Sequence, residues 1–326
     1  MGATGLKPRK LVVGTEKNLR TSLKRTVSYA NWRELRIIKA HNEAICQNDC
    51  IRFTPDGQSV LSGSFDGTLK LWDVATGSEI HIVGEHPYGV NAVAVAPDGQ
   101  SILSGSGTLK LWEIANRKLI RTFRRHGSSF DLLESVAFAP DGRTVVSGGH
   151  DGIPKLWDVA AGQEIRTFRR HNSQITSVAF APDGKTVLSG SHDKTMKLWE
   201  VATGREIHTF EGHDFWVKSI AFSPDGLTVL SRDGSDLKLW DVVTGQLIRT
   251  FGSEPFGIDS VAFAPDGQSV LSGYGFTLGL WDVATGKLLR TLEEHSALVT
   301  SVAFSPDGRR AASGDSDGMI ILWGEE

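Results

Sequence analysis

Serine, histidine and aspartate recur along this 326-residue chain at spacings that would suit the triad of a hydrolase. In one copy His171, Ser189 and Asp193 occur in that order, and Trp199 follows shortly after. A triad needs one activated serine and an oxyanion hole, whereas the same set occurs four times here. The repetition therefore predicts a structural role and no catalytic site. The four complete sets are His41/Ser62/Asp66/Trp72, His126/Ser147/Asp151/Trp157, His171/Ser189/Asp193/Trp199 and His295/Ser313/Asp317/Trp323.

The sets belong to a unit that the chain repeats seven times, with one tryptophan near the end of each copy. Successive tryptophans are 40 to 45 residues apart, which is typical of a four-stranded propeller blade. Within residues 171–213, four short runs are separated by turns rich in Gly, Pro and Asp, and this pattern predicts an antiparallel meander. Neighbouring units would bury the two faces of each meander. The tryptophans are Trp72, Trp112, Trp157, Trp199, Trp240, Trp281 and Trp323.

Three motifs of the unit resemble those of the WD-repeat family. They are Gly212-His213 at its start, Ser223-Pro224-Asp225-Gly226 in its middle and Leu239-Trp240-Asp241 near its end. The resemblance covers residues 32–326, and the regularity of the units is similar to that of repeat-rich propellers in bacterial multidomain proteins. It implies an all-β, seven-bladed β-propeller of four-stranded antiparallel blades. It also implies that each complete set forms a buried chain of hydrogen bonds from the Trp indole through Ser and His to Asp.

Three units depart from the complete set. Unit two keeps His86 and Ser104 but has no Asp in its shortened turn, and unit five has Asp233 shifted by one place. Unit six has Glu254 in the place of the His and Gly275 in the place of the Asp. We therefore expect the hydrogen-bonded chain to be incomplete in these three units.

The two ends of the chain predict how the ring closes. Residues 32–41 align with the fourth run and the following His of the clearest unit, while the last unit stops just after Trp323, where its own fourth run would begin. We therefore expect residues 32–40 to supply the outer strand of the last blade of a single domain, 32–326. Residues 1–31 are predicted to be a flexible basic extension. A decayed partial unit and an organelle transit peptide are the alternatives for this segment.

Charge and composition narrow the classes of partner. The chain has a net charge of −3, but residues 1–31 carry +6 and the remainder carries −9. An acidic ring argues against binding nucleic acid through phosphate neutralisation. No apolar run has the roughly 20 residues that span a bilayer. Cys46 and Cys50 have no second pair with which to build a zinc site, so free thiols in a reducing, cytoplasmic compartment are expected. A local redox pair is the alternative.

The turns of the units divide into a uniform set and an irregular set. The Pro-Asp-Gly turn and the turn after each tryptophan hardly vary, whereas the other two connections vary in length. The resemblance places the irregular connections on one face of the ring, the top face. Aromatic residues in these loops are typical of partner-binding hot spots, although packing between loops would also use them. The predicted partner-binding residues are Phe65, Tyr88, Phe130, Phe215, Trp216, Phe256, Tyr274 and Phe276.

Two further groups on this face suggest ligands. The pairs Arg124-Arg125 and Arg169-Arg170 lie at adjacent blade junctions, where they would either clamp an acidic or phosphorylated peptide or remain solvated. The turn histidines His150 and His192 lack a matched set of carboxylates or cysteines, so no metal or cofactor is expected.

The favoured function is a non-catalytic scaffold, a monomeric ring that binds a protein or peptide on the top face. The alternative is a sensory or regulatory module of a signalling system whose catalytic domain is on another chain. An enzyme is less favoured, because the top-face loops offer neither convergent acids nor a metal set.

Overall fold

The described part of the chain contains 28 short β-strands, arranged as seven antiparallel sheets of four strands each. The computed structural model describes residues 29–47, 50–123, 132–234, 236–252 and 258–325. Most inner strands are buried along nearly their whole length, whereas buried and partly exposed residues alternate along third strands such as Thr68–Asp73 and Leu109–Glu113. Within these ranges there is no helix of the length and apolarity that a membrane crossing requires.

Each sheet is one blade, and the strands of a blade are numbered from the inner to the outer edge. Blade 1 contains β2 Ile51–Phe53, β3 Ser59–Gly63, β4 Thr68–Asp73 and β5 Glu79–Glu85. Blade 2 contains β6 Ala92–Val95, β7 Ser101–Gly105, β8 Leu109–Glu113 and β9 Lys118–Thr122. Blade 3 contains β10 Leu133–Phe138, β11 Thr144–Gly149, β12 Lys155–Asp158 and β13 Glu164–Thr167. Blades 4 and 5 contain β14 Ile175–Phe180, β15 Thr186–Ser191, β16 Met196–Glu200 and β17 Glu206–Phe210; β18 Ser219–Phe222, β19 Thr228–Arg232, β20 Leu237–Asp241 and β21 Leu247–Thr250. Blades 6 and 7 contain β22 Ile258–Phe263, β23 Ser269–Tyr274, β24 Thr277–Asp282 and β25 Leu288–Leu292; β26 Val299–Phe304, β27 Arg310–Asp315, β28 Met319–Gly324 and, as the outer strand, β1 Arg33–Lys39.

Pairing of β1 with β28 closes the ring. The two strands are antiparallel, and Ile37 lies opposite Ile321. Just before β1, Trp32 is 1% exposed and its ring lies 5.9 Å from that of Phe304 on the inner strand of blade 7. The expectation that residues 32–40 complete the last blade is confirmed.

Ordered contacts begin before β1, inside the segment that the sequence assigned to the extension. Tyr29 is 9% exposed and packs edge-on against Trp32, with ring centroids 4.9 Å apart. The Arg290 guanidinium on the outer strand of blade 6 donates to the carbonyls of Tyr29 and Ala30. Tyr29 and Ala30 are therefore packed against the ring, and residues 1–28 lie outside the described ranges.

Outer-strand side chains link each blade to the next. In blade 3, Arg166 donates from Nη1 to the Thr203 carbonyl at 2.7 Å and from Nη2 to the Ala202 carbonyl at 3.0 Å, in the turn after Trp199. A guanidinium suits this position because its fork can donate to two successive carbonyls. The same link is made by Arg36 to Ala75, His81 to Ile114, Arg121 to Ala160 and Ala161, His208 to Val243, and Arg249 to Ala284 and Thr285. At blade 7 the missing turn is replaced by Tyr29 and Ala30, so the link from Arg290 completes the ring.

Adjacent blades pack so closely that the glycine of the Leu-Ser-Gly motif in the second strand leaves little space for a side chain. A Cβ built on Gly190 would lie 2.7 Å from Val217 and 3.0 Å from Ile220 of the next blade. Blade 5 breaks this pattern, because Arg232 stands at the equivalent position and is fully buried. Asp233, also fully buried, follows it. The irregularity that the sequence places in the second turn of unit five thus extends into the junction between blades 5 and 6.

The two cysteines do not follow the sequence expectation. Cys46 and Cys50 form a disulfide, and both are fully buried where blade 1 begins. The expectation of free thiols was wrong, because the Cα atoms of the two residues lie 5.5 Å apart and their sulfurs are bonded. The argument from free thiols to a reducing compartment therefore no longer holds.

Candidate partner-binding face

Blade 4 contains the complete chain of hydrogen bonds. The Trp199 indole donates to Ser189 Oγ at 2.9 Å, Ser189 Oγ lies 2.7 Å from His171 Nε2, and His171 Nδ1 lies 2.9 Å from Asp193 Oδ2. With Nδ1–H donating to the Asp193 carboxylate, Nε2 accepts a hydrogen bond from the serine hydroxyl, which itself accepts from the indole. The Ser189 hydroxyl is fully buried and held from two sides, so it is not available as a nucleophile. Its role is to satisfy two buried ring nitrogens.

Blade 1 repeats this arrangement. His41 lies 2.7 Å from Ser62 and 3.1 Å from Asp66, and Trp72 donates to the same serine at 2.8 Å. The set predicted for unit one is therefore assembled as the sequence indicates.

The set predicted for blade 3 is described only in part. Trp157 donates to Ser147 at 2.7 Å as expected, but the predicted histidine of the set, His126, lies outside the described residues. Among the described residues, Asp151 Oδ2 forms an ion pair with Lys155 Nζ at 3.3 Å, and Asp151 Oδ1 accepts from the Ile153 N–H at 3.0 Å.

The ion pair at Asp151 depends on the direction of the third-strand lysine. In blade 4 the equivalent lysine, Lys197, pairs with Glu206 on the outer strand at 2.9 Å. In blade 3 the lysine is 8% exposed and turns back across Pro154 to the carboxylate four residues earlier. The sequence prediction gave Asp151 a histidine partner alone and missed Lys155, which balances the charge of this carboxylate.

Blade 7 corrects the sequence prediction in another way. Its Trp323 donates to Ser313 at 2.8 Å, and His295 lies 2.6 Å from the same hydroxyl. The carboxylate at His295 Nδ1, however, is that of Asp315 at 2.7 Å and not that of Asp317. Asp315 occupies the second-strand position that is a serine in units one and four, and from there its side chain reaches the ring directly. Asp317 instead accepts from Lys39 Nζ through its backbone carbonyl, at 2.5 Å.

The carboxylates that face a histidine are held in their ionised form. Burial raises the pKa of Asp193, but hydrogen bonds from His171 and Thr195 outweigh it and hold the pKa well below its usual range. Asp315 shows the same balance, and its pKa is lowered because the hydrogen bond from His295 opposes burial. An ionised acceptor strengthens the bond to the imidazole and fixes its tautomer.

Blades 2 and 5 lack this carboxylate partner. His86 lies 2.7 Å from Ser104, and His213 lies 2.7 Å from Ser231. Among the described residues, no carboxylate is hydrogen-bonded to Nδ1 of His213, because Asp233 points instead to Lys238 Nζ at 3.3 Å. Burial lowers the pKa of both His86 and His213 to about 4.

These two histidines predict acid sensitivity. The unfolded chain protonates each imidazole near its ordinary pKa of 6.5, whereas the folded chain resists protonation down to about pH 4. As pH falls through this window, the unfolded state binds more protons, so the free energy of unfolding should fall by up to about 3 kcal/mol for each histidine. Urea unfolding at a series of pH values from about 7.5 to about 4 measures this slope. A His86→Gln/His213→Gln variant should show a shallower slope, because a glutamine amide does not titrate; an unchanged slope would contradict the assignment.

The structure separates the predicted partner-binding aromatic residues into three groups. Five are exposed: Phe65 (42%), Tyr88 (82%), Phe215 (55%), Trp216 (54%) and Phe276 (53%). Phe130 and Phe256 lie outside the described residues. Tyr274, at the end of β23, is 9% exposed and packs among the apolar residues between blades 5 and 6, so its side chain belongs to the core and is not exposed to a partner. Its ring is accommodated beside Gly279, where a Cβ would lie 2.9 Å from the tyrosine Cε1.

Phe215 and Trp216 lie together in the loop that enters blade 5. The Trp216 ring stacks on His192 from the second turn of blade 4, with centroids 4.3 Å apart and planes inclined by 15°. The stack holds the indole in one orientation although half of it is exposed. A pocket of about 330 Å³ lies beside it. Its lining residues, which we call the blade 4/5 pocket, are Lys194, Asp214, Phe215, Trp216, Lys218 and Gly234.

Sequence reasoning singled out Trp216 but missed the residues that orient and surround it. His192 was considered only as a metal ligand, and Lys194 and Lys218 were not considered as site residues. One signal was present in the sequence: Lys194 follows Asp193 where units one, three and seven have Asp-Gly.

The remaining polar groups of the top face are only partly described. Arg169 and Arg170 are exposed at the end of blade 3, whereas Arg124 and Arg125 lie outside the described residues. His150 is bonded to Glu134, with 2.9 Å between Nε2 and Oε1.

Comparison with known proteins agrees with this architecture. The family model "WD domain, G-beta repeat" matches seven segments of the chain: 32–73, 77–113, 117–158, 162–200, 204–241, 245–282 and 286–324. Similar proteins include WD repeat-containing protein 1 of Gallus gallus, 32% identical over 88 residues, which are 26% of this chain and 14% of the relative. They also include a WD repeat domain-containing protein 83 homolog of Dictyostelium discoideum, 33% identical over 102 residues and 31% of each chain. Autophagy-related protein 16 of Arabidopsis thaliana is 29% identical over 118 residues, 36% of this chain and 22% of the relative. The matches thus span less than a third of the length of these curated relatives.

Proposed function

Since the chain belongs to the WD domain, G-beta repeat family, we propose that it is a non-catalytic scaffold that binds a protein or peptide through its top face. Propellers of this family are generally interaction modules. Their blades provide a rigid ring, and the loops on the ring are free to vary.

The observation that carries this proposal is the pair Phe215 and Trp216. Each exposes more than half of its side chain, although both are large enough to bury substantial apolar area. The stack on His192 fixes the indole before any partner arrives, so binding would cost little side-chain entropy. Rigid aromatic residues beside a pocket are typical of hot spots.

The buried serines support the absence of catalysis. Ser62, Ser189 and Ser313 are fully buried, and each is bonded to both an indole and an imidazole. A substrate would have to break the core of a blade to reach any of them.

The proposal predicts that a Phe215→Ala/Trp216→Ala variant loses its partner but keeps its fold. Loss of two central aromatic contacts should weaken binding by at least about 100-fold, equivalent to about 3 kcal/mol. The matched control is Leu227→Ala/Val243→Ala, which removes two exposed apolar side chains from the opposite face of the same blade.

Both variants and the wild type would be used to capture proteins from a lysate of the source organism, with quantification by mass spectrometry. Proteins captured by the wild type and the control, and lost by the Phe215/Trp216 variant, are the expected result. Equal capture by all three, with unchanged thermal unfolding, would place the binding surface elsewhere on the ring.

A further inference from the structure

We propose that Cys46 and Cys50 form a redox-sensitive link at the place where the ring closes. As a disulfide, the pair ties the loop between β1 and β2 to the start of β2. A dithiol reduces this bond, the Cys50 thiol then bonds to blade 2, and the loop is released. The proposal concerns the ring closure and does not depend on the identity of a partner.

The loop between β1 and β2 joins the last blade to the first. The Ile45 N–H donates to the Asp315 carbonyl of blade 7 at 3.0 Å. The next residue, Cys46, donates from its N–H to the Gly63 carbonyl of blade 1 at 3.1 Å. Ile45 also packs against blade 7, since a Cβ built on Gly314 would lie 2.8 Å from its Cδ1. Release of this loop therefore loosens the contact between the two blades.

The same loop is bonded to the second turn of blade 1, on the top face. Ser64 Oγ donates to the Ala44 carbonyl at 2.9 Å, and the Phe65 N–H donates to the same carbonyl at 3.0 Å. Phe65 is one of the five exposed aromatic residues of the top face. Because Ala44 precedes Cys46 by only two residues, the oxidation state of the cysteines is transmitted to this turn through two hydrogen bonds.

Cys50 has two partners within reach. Its sulfur is bonded to Cys46, and it also lies 3.4 Å from the carbonyl oxygen of Asn91, just before the inner strand of blade 2. A disulfide sulfur carries no proton, whereas a thiol can donate a weak hydrogen bond. Reduction therefore gives Cys50 a bond to the next blade in exchange for its bond to the loop.

The residues equivalent to Cys50 in other blades support a link of this kind. In blade 4 the equivalent residue is Ser177, which is fully buried and accepts from the Ile220 N–H of the next blade at 3.3 Å. The position thus joins neighbouring inner strands, and in blade 1 a reduced Cys50 supplies its own bond to the next blade. The other links accept from the following blade in the same way: Ser135 from Val178, Ser219 from Val261, Ser260 from Val302 and Ser301 from Ile51.

Both cysteines are fully buried, but the loop that contains Cys46 borders solvent. Asn42, Glu43 and Gln47 are exposed, and Gln47 is the direct neighbour of Cys46. Local opening of a short surface loop requires much less free energy than unfolding of a whole domain. A small dithiol therefore reaches Cys46 Sγ while the blades stay folded.

Reduction proceeds by thiol–disulfide exchange. A thiolate of the dithiol bonds to Cys46 Sγ, the bond between the two cysteines breaks, and Cys50 leaves as a thiolate that takes up a proton. The second thiol of the reductant then attacks the reductant's own bonded sulfur and displaces Cys46, so the reductant leaves as a disulfide. The protein gains two electrons and two protons, and oxidised glutathione reverses the reaction.

The test is hydrogen exchange, measured by mass spectrometry, on the intact folded chain with and without excess dithiothreitol. Alkylation of quenched samples verifies that both thiols are free. After reduction, the amides of residues 42–46 and 63–66 should exchange at least about tenfold faster, while those of blade 4 stay unchanged. Oxidised glutathione should restore the slow exchange. A disulfide that is reduced only after the chain is unfolded in urea, or reduction without faster exchange in these two segments, would overturn the proposal.

Substitutions separate the two parts of the proposal. Without any reductant, Cys46→Ala should exchange as fast as the reduced wild type in residues 42–46 and 63–66. The matched control is Cys46→Ala/Cys50→Ala, in which dithiothreitol should change nothing, because the chain has no other cysteine. An effect of dithiothreitol on this control would contradict the assignment to the pair.

The bond from Cys50 to blade 2 has a readout of its own. The Asn91 N–H, which donates to the Gly105 carbonyl at 2.8 Å, should exchange about threefold more slowly in Cys46→Ala than in Cys46→Ala/Cys50→Ala. The two variants differ only in the sulfur of Cys50. Equal exchange rates would show that the reduced cysteine makes no link to the next blade, and that result would overturn the proposed exchange of partners.

Discussion

A chain that lacks residues 1–40 is expected to lose the closed ring, whereas a chain that lacks only residues 1–28 is expected to keep it. The longer deletion removes β1 and leaves β28 as an exposed edge, although Ile320 to Trp323 are now buried. It also removes Trp32, whose burial alone is worth about 3–5 kcal/mol. With the lost hydrogen bonds of the strand pair, the free energy of unfolding should fall by more than about 5 kcal/mol.

The measurement is urea unfolding of both deletions, together with light scattering. The open edge of β28 should make the longer deletion aggregate, because an unpaired apolar strand is a template for further pairing. The chain without residues 1–28 is the matched control, since it keeps Tyr29 and Ala30 and with them the link to Arg290. Equal stability of the two chains would show that blade 7 holds with three strands.

A second large effect is expected at the serines that join the two ring nitrogens in each blade. Ser189→Ala would leave the Trp199 N–H and His171 Nε2 buried without their shared partner. Each unsatisfied buried group costs about 1–3 kcal/mol, so the free energy of unfolding should fall by about 2–5 kcal/mol. Urea unfolding measures this loss, and the slope of the free energy of unfolding against urea concentration should be unchanged.

Blade 6 offers the comparison. Within the described part of the chain, the Ser272 hydroxyl is bonded to the Trp281 indole alone, at 2.8 Å. Ser272→Ala should therefore cost about half as much as Ser189→Ala. If the two substitutions lowered the free energy of unfolding equally, the bond between Ser189 and His171 would contribute nothing to stability, and only the bond to the indole would matter.

The networks also show that the seven similar units of the ring are not equivalent. Blades 1, 4 and 7 each have a histidine between a serine and an ionised carboxylate, whereas blade 5 has committed its carboxylate to Lys238. The blade 4/5 pocket lies where a complete unit meets this irregular one.

The sequence by itself determined the repeat, the strands and the closure of the ring. These features follow from local alternation of apolar residues, from turn residues at fixed intervals and from the alignment of residues 32–41 with the fourth run of other units. The serine–tryptophan bonds were expected from the resemblance to the WD-repeat family, and they form in all seven blades although the two residues are 8 to 10 positions apart.

Only the tertiary structure decided which side chains meet across turns and between blades. In blade 7 the carboxylate bonded to the histidine is that of Asp315 and not that of Asp317, and in blade 3 Lys155 pairs with Asp151. The side chain of Tyr274 is buried, Cys46 and Cys50 form a disulfide, and His192 stacks on Trp216. Each of these depends on differences of a few ångströms in side-chain position. Residues equivalent in sequence order can differ by that much, since a turn one residue shorter or a backbone angle of opposite sign redirects a side chain while the strands remain unchanged.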